Sequence, residues 1–285
     1  MKYVPASQYS EEQLVKAHNE IFQDYEGVSE LILEQFQAIN LQRGVNYEYS
    51  IAAVDYNKIV GLILNAIREY NGTITSYDCG TGVVPEFRGK GIAKHMFIEV
   101  KKTLLLLNCH IYLLEVIQTN KKALNLYKNQ GFKIIREFEC MIAKRSDFEP
   151  KLSAIQSQNL QFSIYSTSDY PWDSILKFQN FFPSWQNSNM SMRFSPRYKV
   201  LNIAQDSRLL GYMVFNPLSG EITQIGAEDM DFLGGIMIKY LVSQNAGVKQ
   251  VYFINIDSKN KSLIDLLSEL GFSTFFKQYE MLLEF

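Results

Sequence analysis

One order of motifs occurs twice along the 285 residues, and this repetition constrains the fold more than any other feature. Asn120 stands eleven residues before Gly131-Phe132, and Asn260 stands eleven residues before Gly271-Phe272. Three further pairs keep the same order: Lys58–Gly61 with Arg208–Gly211, Asn71-Gly72 with Ser219-Gly220, and Gly91-Ile92 with Gly235-Ile236. Self-similarity of this kind is typical of a duplicated structural unit. The sequence therefore predicts two tandem domains, residues 1–147 and 160–285, joined around the polar stretch Ser146–Gln161.

The apolar spacing of the first half predicts the elements of each domain. Helical spacing between Ser10 and Gly44 indicates two helices. Short β-rich runs follow, and Asn71-Gly72 between two of them is a strong hairpin signal, because both residues accept a positive φ. The last part reads as helix, strand, helix, strand. This order predicts an α+β fold in which each copy has a mixed, mostly antiparallel sheet flanked by helices.

Composition and charge restrict the function classes. Hydrophobic residues make up 47% of the chain and the net charge is −2, which does not suit a general nucleic-acid binder. The N-terminal sequence has no apolar signal core, and the longest apolar run, Leu104–Leu107, is far too short to cross a bilayer. We therefore expect a soluble, cytoplasmic protein with neither a nucleic-acid nor a membrane partner. The oligomeric state stays open, and a monomer is compatible with the sequence.

The cysteines and histidines give no sign of a metal site. Cys79, Cys109 and Cys140 form an odd set without a C-x-x-C pair, which favours reduced, buried thiols. The three histidines, His18, His95 and His110, are not spaced as metal ligands. We therefore expect no metal cofactor.

The stretch from Val83 to Ala93 runs from a strand into a helix through a glycine-containing turn. Such a turn presents unpaired backbone N–H groups at a helix N-terminus, where the helix dipole also favours an anion. It lacks the spacing of a nucleoside-triphosphate loop and the three glycines of the dinucleotide fingerprint. Spacing alone leaves two interpretations open: a phosphate-binding turn, or a turn that needs glycine only for its backbone angles.

The motifs of the first half resemble those of a known family. Arg88-x-x-Gly91-x-Ala93 after a Val-x-Pro strand end, Leu114-Glu115-Val116, Asn120 to Tyr127 and Gly131-Phe132 resemble the two conserved blocks of the GNAT superfamily of acetyl-CoA-dependent N-acetyltransferases. The resemblance covers essentially residues 1–145. It implies a sheet splayed by a bulge, so that a thioester can enter between strands.

The resemblance also implies how each residue would bind acetyl-CoA. The backbone amides of Arg88, Gly89, Lys90, Gly91, Ile92 and Ala93 would hold the pyrophosphate. The main chain of Val83 and Val84 would pair with the pantetheine arm, Asn120 would reach the coenzyme, and Tyr127 would lie beside its sulfur. Lys90 would contact a phosphate.

Acetyl transfer to an amine needs a base for the amine and a hydrogen-bond donor for the departing thiolate. Tyr127 would be the donor. Glu115 would be the base, because its separation of twelve residues from Tyr127 resembles a Glu/Tyr pair of the family. Asp78 is a second candidate, acting through water. The structural alternatives are a Tyr127 ring packed in the core and a Glu115 carboxylate that only accepts structural hydrogen bonds.

The second half departs from this pattern. Leu267 stands where Tyr127 would be, Asn255 where Glu115 would be, and Phe232 where the arginine would be. A leucine cannot donate a proton and an asparagine cannot act as a base. The sequence therefore predicts an active first copy that transfers an acetyl group directly to a primary amine, of a small molecule or a peptide, and an inactive second copy. The alternative is a non-catalytic acyl-CoA-binding sensor or interaction module.

Overall fold

The computed structural model describes residues 1–25, 29–153 and 159–285. Residues 154–158, part of the predicted join, lie outside the described residues, and the preceding part of the join forms a helix, Arg145–Ser153. The chain divides into two compact units. The N-terminal unit comprises Met1–Val116, Asn120–Ile135 and Glu280–Phe285, and the C-terminal unit comprises Ile117–Thr119 and Arg136–Tyr279.

The N-terminal unit contains the predicted mixture of strands and helices. In chain order its elements are β1 (Lys2–Pro5), α1 (Glu11–Phe22), α2 (Leu33–Arg43), β2 (Ile51–Asp55), β3 (Lys58–Tyr70), β4 (Thr73–Val83), α3 (Ile92–Leu106), β5 (Ile111–Ile117) and α4 (Lys121–Asn129). β1 to β4 pair antiparallel in order, and β4 pairs with β5 in parallel. The sequence missed β1, whose four residues are too few to form a clear pattern.

Local signals fixed several boundaries in this unit. Ser10 caps α1 in a capping box with Gln13, and Gly44 ends α2 with φ +77°. Asn71 and Gly72 have φ +51° and +75° and form the hairpin turn between β3 and β4. These positions confirm the predicted helix ends and the hairpin.

Two glycines show that α1 and α3 cover opposite faces of this sheet. A Cβ on Gly82 would lie 2.2 Å from Ile21 of α1, whereas a Cβ on Gly61 would lie 3.1 Å from Met96 of α3. Gly82 pairs with Leu62, the neighbour of Gly61, and successive strand residues alternate between faces. Both helices therefore approach the sheet closely where β3 and β4 run side by side.

A bulge in β4 opens the sheet. The register shifts so that Gly80 faces Leu64 but Asp78 faces Asn65, which leaves Cys79 as the extra residue. The parallel register of β4 and β5 covers only Thr75–Tyr77 with Ile111–Leu113. Beyond those pairs the two strands diverge, as the resemblance implied.

The strands of the C-terminal unit show the same type of pairing. In chain order its elements are β6 (Lys133–Lys144), α5 (Arg145–Ser153), β7 (Gln161–Ser166), α6 (Asn189–Arg193), β8 (Lys199–Gln205), β9 (Arg208–Phe215), β10 (Glu221–Ala227), α7 (Met230–Gln244), β11 (Gln250–Asp257), α8 (Lys261–Leu270) and β12 (Ser273–Glu284). The unit includes β6 from Arg136 onward and β12 as far as Tyr279. β7 to β10 pair antiparallel in order, β10 and β11 pair in parallel, and β11 pairs antiparallel with β6. The fold confirms the predicted α+β class.

The ends of the two units do not follow the chain order. The β6 residues from Phe138 to Lys144 pair with β11 inside the C-terminal unit. The last residues, Glu280–Phe285, belong to the N-terminal unit, where the Phe285 amide donates to the His110 carbonyl at 3.2 Å. The sequential ranges 1–147 and 160–285 therefore remain a prediction about the repeat, distinct from these compact units.

The three cysteines are free and buried, as expected. No helix within the described ranges is long and apolar enough to span a membrane.

Candidate active site

A cavity of about 650 Å³ opens in the N-terminal unit where β4, α3 and α4 converge. The expected site residues that line it are Val83, Arg88, Gly89, Gly91, Ile92, Ala93, Asn120 and Tyr127. Val84, Lys90 and Glu115 are not among the described residues that line it. The fold therefore brings together most of the residues implied by the resemblance.

The turn into α3 is open to an anion. Gly91, with φ +76°, precedes the first residue of α3 without a side-chain cap, and the first turn of α3 contains no acidic residue. Gly89, with φ +77°, has open space where a Cβ would lie. Uncapped N–H groups at the positive end of a helix dipole suit a phosphate group. The Lys90 ammonium lies 4.6 Å from the centre of the Phe87 ring instead of lining the cavity.

The Arg88 side chain binds protein groups. Its Nε donates to the Val83 carbonyl at 2.9 Å, and its Nη2 donates to the Ile21 carbonyl at 2.9 Å and to Asp24 Oδ1 at 2.8 Å. Arg88 therefore fastens the turn to the end of α1. The neighbouring Val84 amide donates to the Val60 carbonyl at 2.9 Å, so it is already used in the β3–β4 ladder.

The repeated asparagine caps a helix in both units. Asn120 Oδ1 accepts from the Ala123 amide at 3.1 Å, and Asn260 Oδ1 accepts from the Leu263 amide at 3.4 Å. Capping alone accounts for an asparagine at both positions. At Asn120, which also lines the cavity, the carboxamide NH₂ is the part that can donate to a ligand.

Tyr127 is a buried side chain on α4 whose ring also borders the cavity. It contacts the rings of Phe97 and Phe132 edge-on, at 5.9 and 5.8 Å between centroids. Burial, together with the nearby Asp78 charge, raises the pKa of the Tyr127 phenol well above its usual value. The Thr81 side chain acts in the opposite direction and lowers this pKa. The Tyr127 side chain thus packs in the core and also lines the cavity.

Thr81 is a site residue that the sequence analysis missed. Its Oγ1 donates to Asp78 Oδ2 at 2.6 Å, and it lines the cavity. The Gly80 amide donates to the other oxygen, Asp78 Oδ1, at 2.9 Å. Burial raises the pKa of Asp78 to about 6, although both hydrogen bonds and the charge of Arg43 act in the opposite direction. The sequence signal that could have identified Thr81 is its spacing from Asp78. Two residues three apart on a strand bring their side chains together here because β4 has a bulge between them.

Glu115 lies on β5, past the last pair that this strand forms with β4. It is half-buried, and its charge contributes to raising the pKa of the Cys79 thiol. Arg43 Nη1 donates to the Cys79 carbonyl at 2.8 Å. Burial lowers the pKa of Arg68, which also interacts with Cys79, to about 10. Glu115 therefore lies near a second polar group, around Cys79.

The corresponding gap in the C-terminal unit is filled by its own chain. Gln224 Nε2 on β10 donates to the Asn187 carbonyl at 2.5 Å, and Asn187 Nδ2 donates to the Ile254 carbonyl on β11 at 2.7 Å. Asn255 Nδ2 donates to Ser184 Oγ at 3.0 Å. The cavity left there measures only about 100 Å³. The segment from Ser184 to Asn187 thus occupies the space between the two strands.

The helix that follows β10 also differs from α3. Asp229 caps α7, accepting from the Phe232 amide at 3.1 Å, and Asp231 lies in the first turn. Gly235, aligned by sequence with Gly91, lies inside α7 instead of at its start. A Cβ on the adjacent Gly234 would lie 2.6 Å from Leu266 of α8, so that glycine serves helix packing. Carboxylates at this helix start disfavour a phosphate.

Within residues 1–25, 29–153 and 159–285, no group of three or more His, Cys, Asp or Glu side chains could hold a metal ion.

Comparisons with known proteins agree with this geometry. Residues 12–132 match the sequence profile of the Acetyltransferase (GNAT) family. A search of the curated proteins gave no match. Among solved structures, a tandem GNAT protein from the clavulanic acid biosynthesis pathway has 12% identity and a TM-score of 0.72, over 99% of this chain and 98% of that one.

Two further structures share the fold. A putative acetyltransferase from Pyrococcus horikoshii has 14% identity and a TM-score of 0.67, over 100% of this chain and 88% of that one. A GCN5-related N-acetyltransferase from Sphaerobacter thermophilus has 12% identity and a TM-score of 0.66, over 99% and 95%. The chain has the tandem GNAT fold. Its match to the acetyltransferase family covers residues 12–132.

Proposed function

We propose that this protein is an N-acetyltransferase that moves the acetyl group of acetyl-CoA to a primary amine in its N-terminal unit, by direct attack. The observation that carries the proposal is the cavity of about 650 Å³, which connects an uncapped helix N-terminus to diverging strands and to Tyr127. The acceptor would be a small molecule or a peptide with a free amine. This function fits the acetyltransferase family of residues 12–132.

The turn from Gly89 to Ala93 would bind the pyrophosphate through its backbone amides, since the Arg88 amide donates to the Pro85 carbonyl at 3.2 Å. Arg88 would act indirectly, because its guanidinium fastens the turn to Asp24 and Ile21. The main chain of Val83 would pair with the pantetheine arm, since the amide of Val84 is used within the sheet. Acetyl-CoA supplies the activated acetyl group.

Glu115 would accept the proton of the attacking amine, and Tyr127 would donate a hydrogen bond to the departing sulfur. An amine with a pKa of about 10 is mostly protonated at neutral pH and must lose a proton before it can attack. Glu115 lies beside the gap between β4 and β5. Asp78 is bonded to Thr81, which lines the same cavity as Tyr127, and this favours a place for Asp78 on the side of the sulfur.

The C-terminal unit would not catalyse transfer. Its gap is filled by residues 184–187, and Asp229 and Asp231 lie at the helix start where a phosphate would bind. Leu267, at the position of Tyr127, is fully buried and has no group to donate.

Calorimetric titration of acetyl-CoA tests this proposal. We expect one site per chain. Ala93, the second residue of α3, corresponds to Asp231, the second residue of α7. Ala93→Asp places a carboxylate in the first turn of α3, where it is compatible with the helix but repels a bound phosphate. The affinity for acetyl-CoA should therefore fall at least about tenfold. Asp231→Ala in the C-terminal unit is the matched control and should leave stoichiometry and affinity unchanged.

Two sites per chain would contradict the inactive second unit. A chain that does not bind acetyl-CoA would contradict the proposed function as a whole. Where binding is found, thiol release in the presence of a panel of amines distinguishes the enzyme from a non-catalytic acyl-CoA binder.

A further inference from the structure

The face of the N-terminal sheet that packs against α1 and α2 carries an arginine near the end of α2. Paired residues on neighbouring strands share a face, and successive residues alternate between faces. Gly82 lies against α1 and pairs with Leu62, so Arg68, an even number of residues further along β3, lies on the same face. A Cβ on Gly44, which ends α2, would lie 3.8 Å from Arg68 Nη1. The Arg68 guanidinium therefore lies beside the end of α2.

A second guanidinium, that of Arg43, reaches the bulge of β4. Its Nη1 donates to the Cys79 carbonyl at 2.8 Å. The next residue, Gly80, lies on the α1 side, and a Cβ there would have no atom of the described residues within 4 Å beyond its chain neighbours. Thr81 and Gly82, which follow it, line the cavity. An open position therefore lies between the end of the cavity and the bulge that binds Arg43.

Glu115 lies on the same face, across the gap between β4 and β5. Tyr77 of β4 pairs with Leu113 of β5 and with Ala66 of β3, whose Cβ faces the end of α2. Leu113 and Glu115 are two residues apart on one strand and so point to the same face. Cys79 and Glu115 each lie two residues beyond the last β4–β5 pair. The candidate base and the bulge that binds Arg43 are therefore on the two edges of the gap.

The last strand brings a second carboxylate opposite Glu115. β12 is the neighbour of β5, and the Phe285 amide, after the end of β12, donates to the His110 carbonyl, before the start of β5, at 3.2 Å. The two strands therefore run antiparallel, and counting inward from this bond places Glu280 opposite Glu115. Glu280 is 3% exposed. Like charges directly opposite each other destabilise a sheet, so this pair of carboxylates favours a cation nearby.

The gap thus has a positive edge and a negative edge on this face. Arg43 and Arg68 lie on the side of β3 and β4, whereas Glu115 and Glu280 lie on β5 and β12. Asp78 points to the opposite face by the same alternation. A ligand with charge of one sign is attracted by one edge and repelled by the other. A molecule with both an ammonium and a carboxylate is complementary to both edges.

We infer that the acceptor is an amine that also carries a carboxylate, of the amino-acid class. Its carboxylate binds at Arg43 and Arg68, since the planar guanidinium matches the geometry of a carboxylate. Its ammonium binds at Glu115 and Glu280. The inference rests on the proposed function, in which Glu115 takes the proton of the attacking amine. The carboxylate of the acceptor takes no part in the reaction and serves recognition alone.

Thiol release from acetyl-CoA with paired acceptors tests the inference. Each amino acid is compared with its own amide, which keeps the amine and the side chain but lacks the negative charge. The panel contains amino acids with the amine next to the carboxylate and others with the amine further away. Loss of the nearby negative charge makes the ammonium of the amide lose its proton more easily, so chemical reactivity alone favours the amide. We expect kcat/KM of the best amino acid to exceed that of its amide at least about tenfold.

Arg68→Gln should reduce this preference to about threefold or less, mainly through a higher KM for the amino acid. Both acceptors are measured with the same protein, so a partial loss of folded enzyme lowers both rates and leaves their ratio unchanged. Arg68→Lys keeps a positive charge without the planar fork and should retain part of the preference. Arg208→Gln, which removes an exposed arginine of the C-terminal unit, is the control and should keep the wild-type ratio.

A wild-type protein that acetylates the amides as fast as the amino acids would overturn the inference. So would a preference for amino acids that Arg68→Gln leaves at its wild-type value. Absence of acetyl-CoA binding in calorimetry, or of thiol release with every amine, would instead overturn the proposed function. The two failures are therefore distinguishable.

Discussion

Arg88 donates two hydrogen bonds to Asp24, and the same guanidinium also binds the Ile21 carbonyl at 2.9 Å. The turn before α3 is thereby fastened to the end of α1. Because a fourth donor, Nε, binds the Val83 carbonyl, the backbone of β4 is held in the same arrangement. The planar guanidinium supplies all these donors in fixed directions.

Arg88→Lys should weaken coenzyme binding more than it weakens the fold. A single ammonium cannot reach the Val83 carbonyl, the Ile21 carbonyl and Asp24 together, so the turn loses its position. We expect the Kd of acetyl-CoA, measured by calorimetry, to rise about tenfold. Arg208→Lys alters a comparable exposed pair with Glu228 in the C-terminal unit and is the control. An equal rise in both variants would argue against a role of Arg88 in the turn.

Tyr127→Phe should lower kcat by about a hundredfold and leave the affinity for acetyl-CoA nearly unchanged, because the ring and its packing remain while the donor is removed. Thiol release with an acceptor amine gives kcat, and calorimetry gives affinity. Tyr112→Phe is the control, since Tyr112 also packs on Phe97 and Phe132 but does not line the cavity. Turnover of Tyr127→Phe equal to that of Tyr112→Phe would remove Tyr127 from the mechanism.

The two capping asparagines provide a matched pair. Asn120→Ala and Asn260→Ala each remove one helix cap, so each should lower the free energy of unfolding by about 1 kcal/mol in chemical denaturation. Only Asn120→Ala should also weaken acetyl-CoA binding. Asn120→Ser keeps a capping oxygen but lacks the NH₂ group, so it should restore stability without restoring affinity. Full affinity in Asn120→Ser would mean that Asn120 serves only as a cap.

Asp78→Asn should stabilise the protein more at pH 8 than at pH 4. The raised pKa of Asp78 means that the folded state binds its proton more tightly than the unfolded state. Proton binding by Asp78 therefore stabilises the folded state below about pH 4, and this stabilisation is lost as the pH rises to about 6. A shift from 3.8 to about 6 corresponds to about 3 kcal/mol. Asparagine has no charge to lose, so the difference in unfolding free energy between variant and wild type should grow between these pH values, as measured by urea denaturation. A difference independent of pH would refute the raised pKa.

Glu115→Gln should slow acetyl transfer in a pH-dependent way. A glutamine cannot accept the amine proton, so the rate loss should be largest at neutral pH and should shrink as the free amine fraction grows towards pH 10. The measurement is the ratio of kcat/KM between wild type and variant across this range. A constant ratio would show that Glu115 is not the base.

The sequence predicted what depends on short-range patterns. The hairpin at Asn71-Gly72, the ends of α1 and α2, and the position of α3 after Gly91 all follow from local backbone preferences and apolar spacing. The cavity is likewise lined by most residues that the motifs indicated. The repeat of elements was readable because each copy has to bury the same kind of apolar faces.

The sequence pattern gave a wrong alignment where the same residues are compatible with two local structures. Gly91 and Gly235 both precede isoleucine. Gly91 has a left-handed backbone conformation and directly precedes α3, whereas Gly235 lies inside α7. The start of α7 is determined instead by Asp229, whose side chain caps it. A glycine can serve a turn or close helix packing, and only the neighbouring element decides between them.

By itself, the sequence determined the α+β class, the repeat and the turn that opens α3, because these depend on residues near one another in the chain. The tertiary structure decided which side chains act together. A bulge at Cys79 brings Asp78 to Thr81, and α4 brings Tyr127 to the cavity that Thr81 also lines. It also decided that the chain fills the gap between β10 and β11. These outcomes depend on contacts between segments far apart in sequence, which a local pattern does not encode.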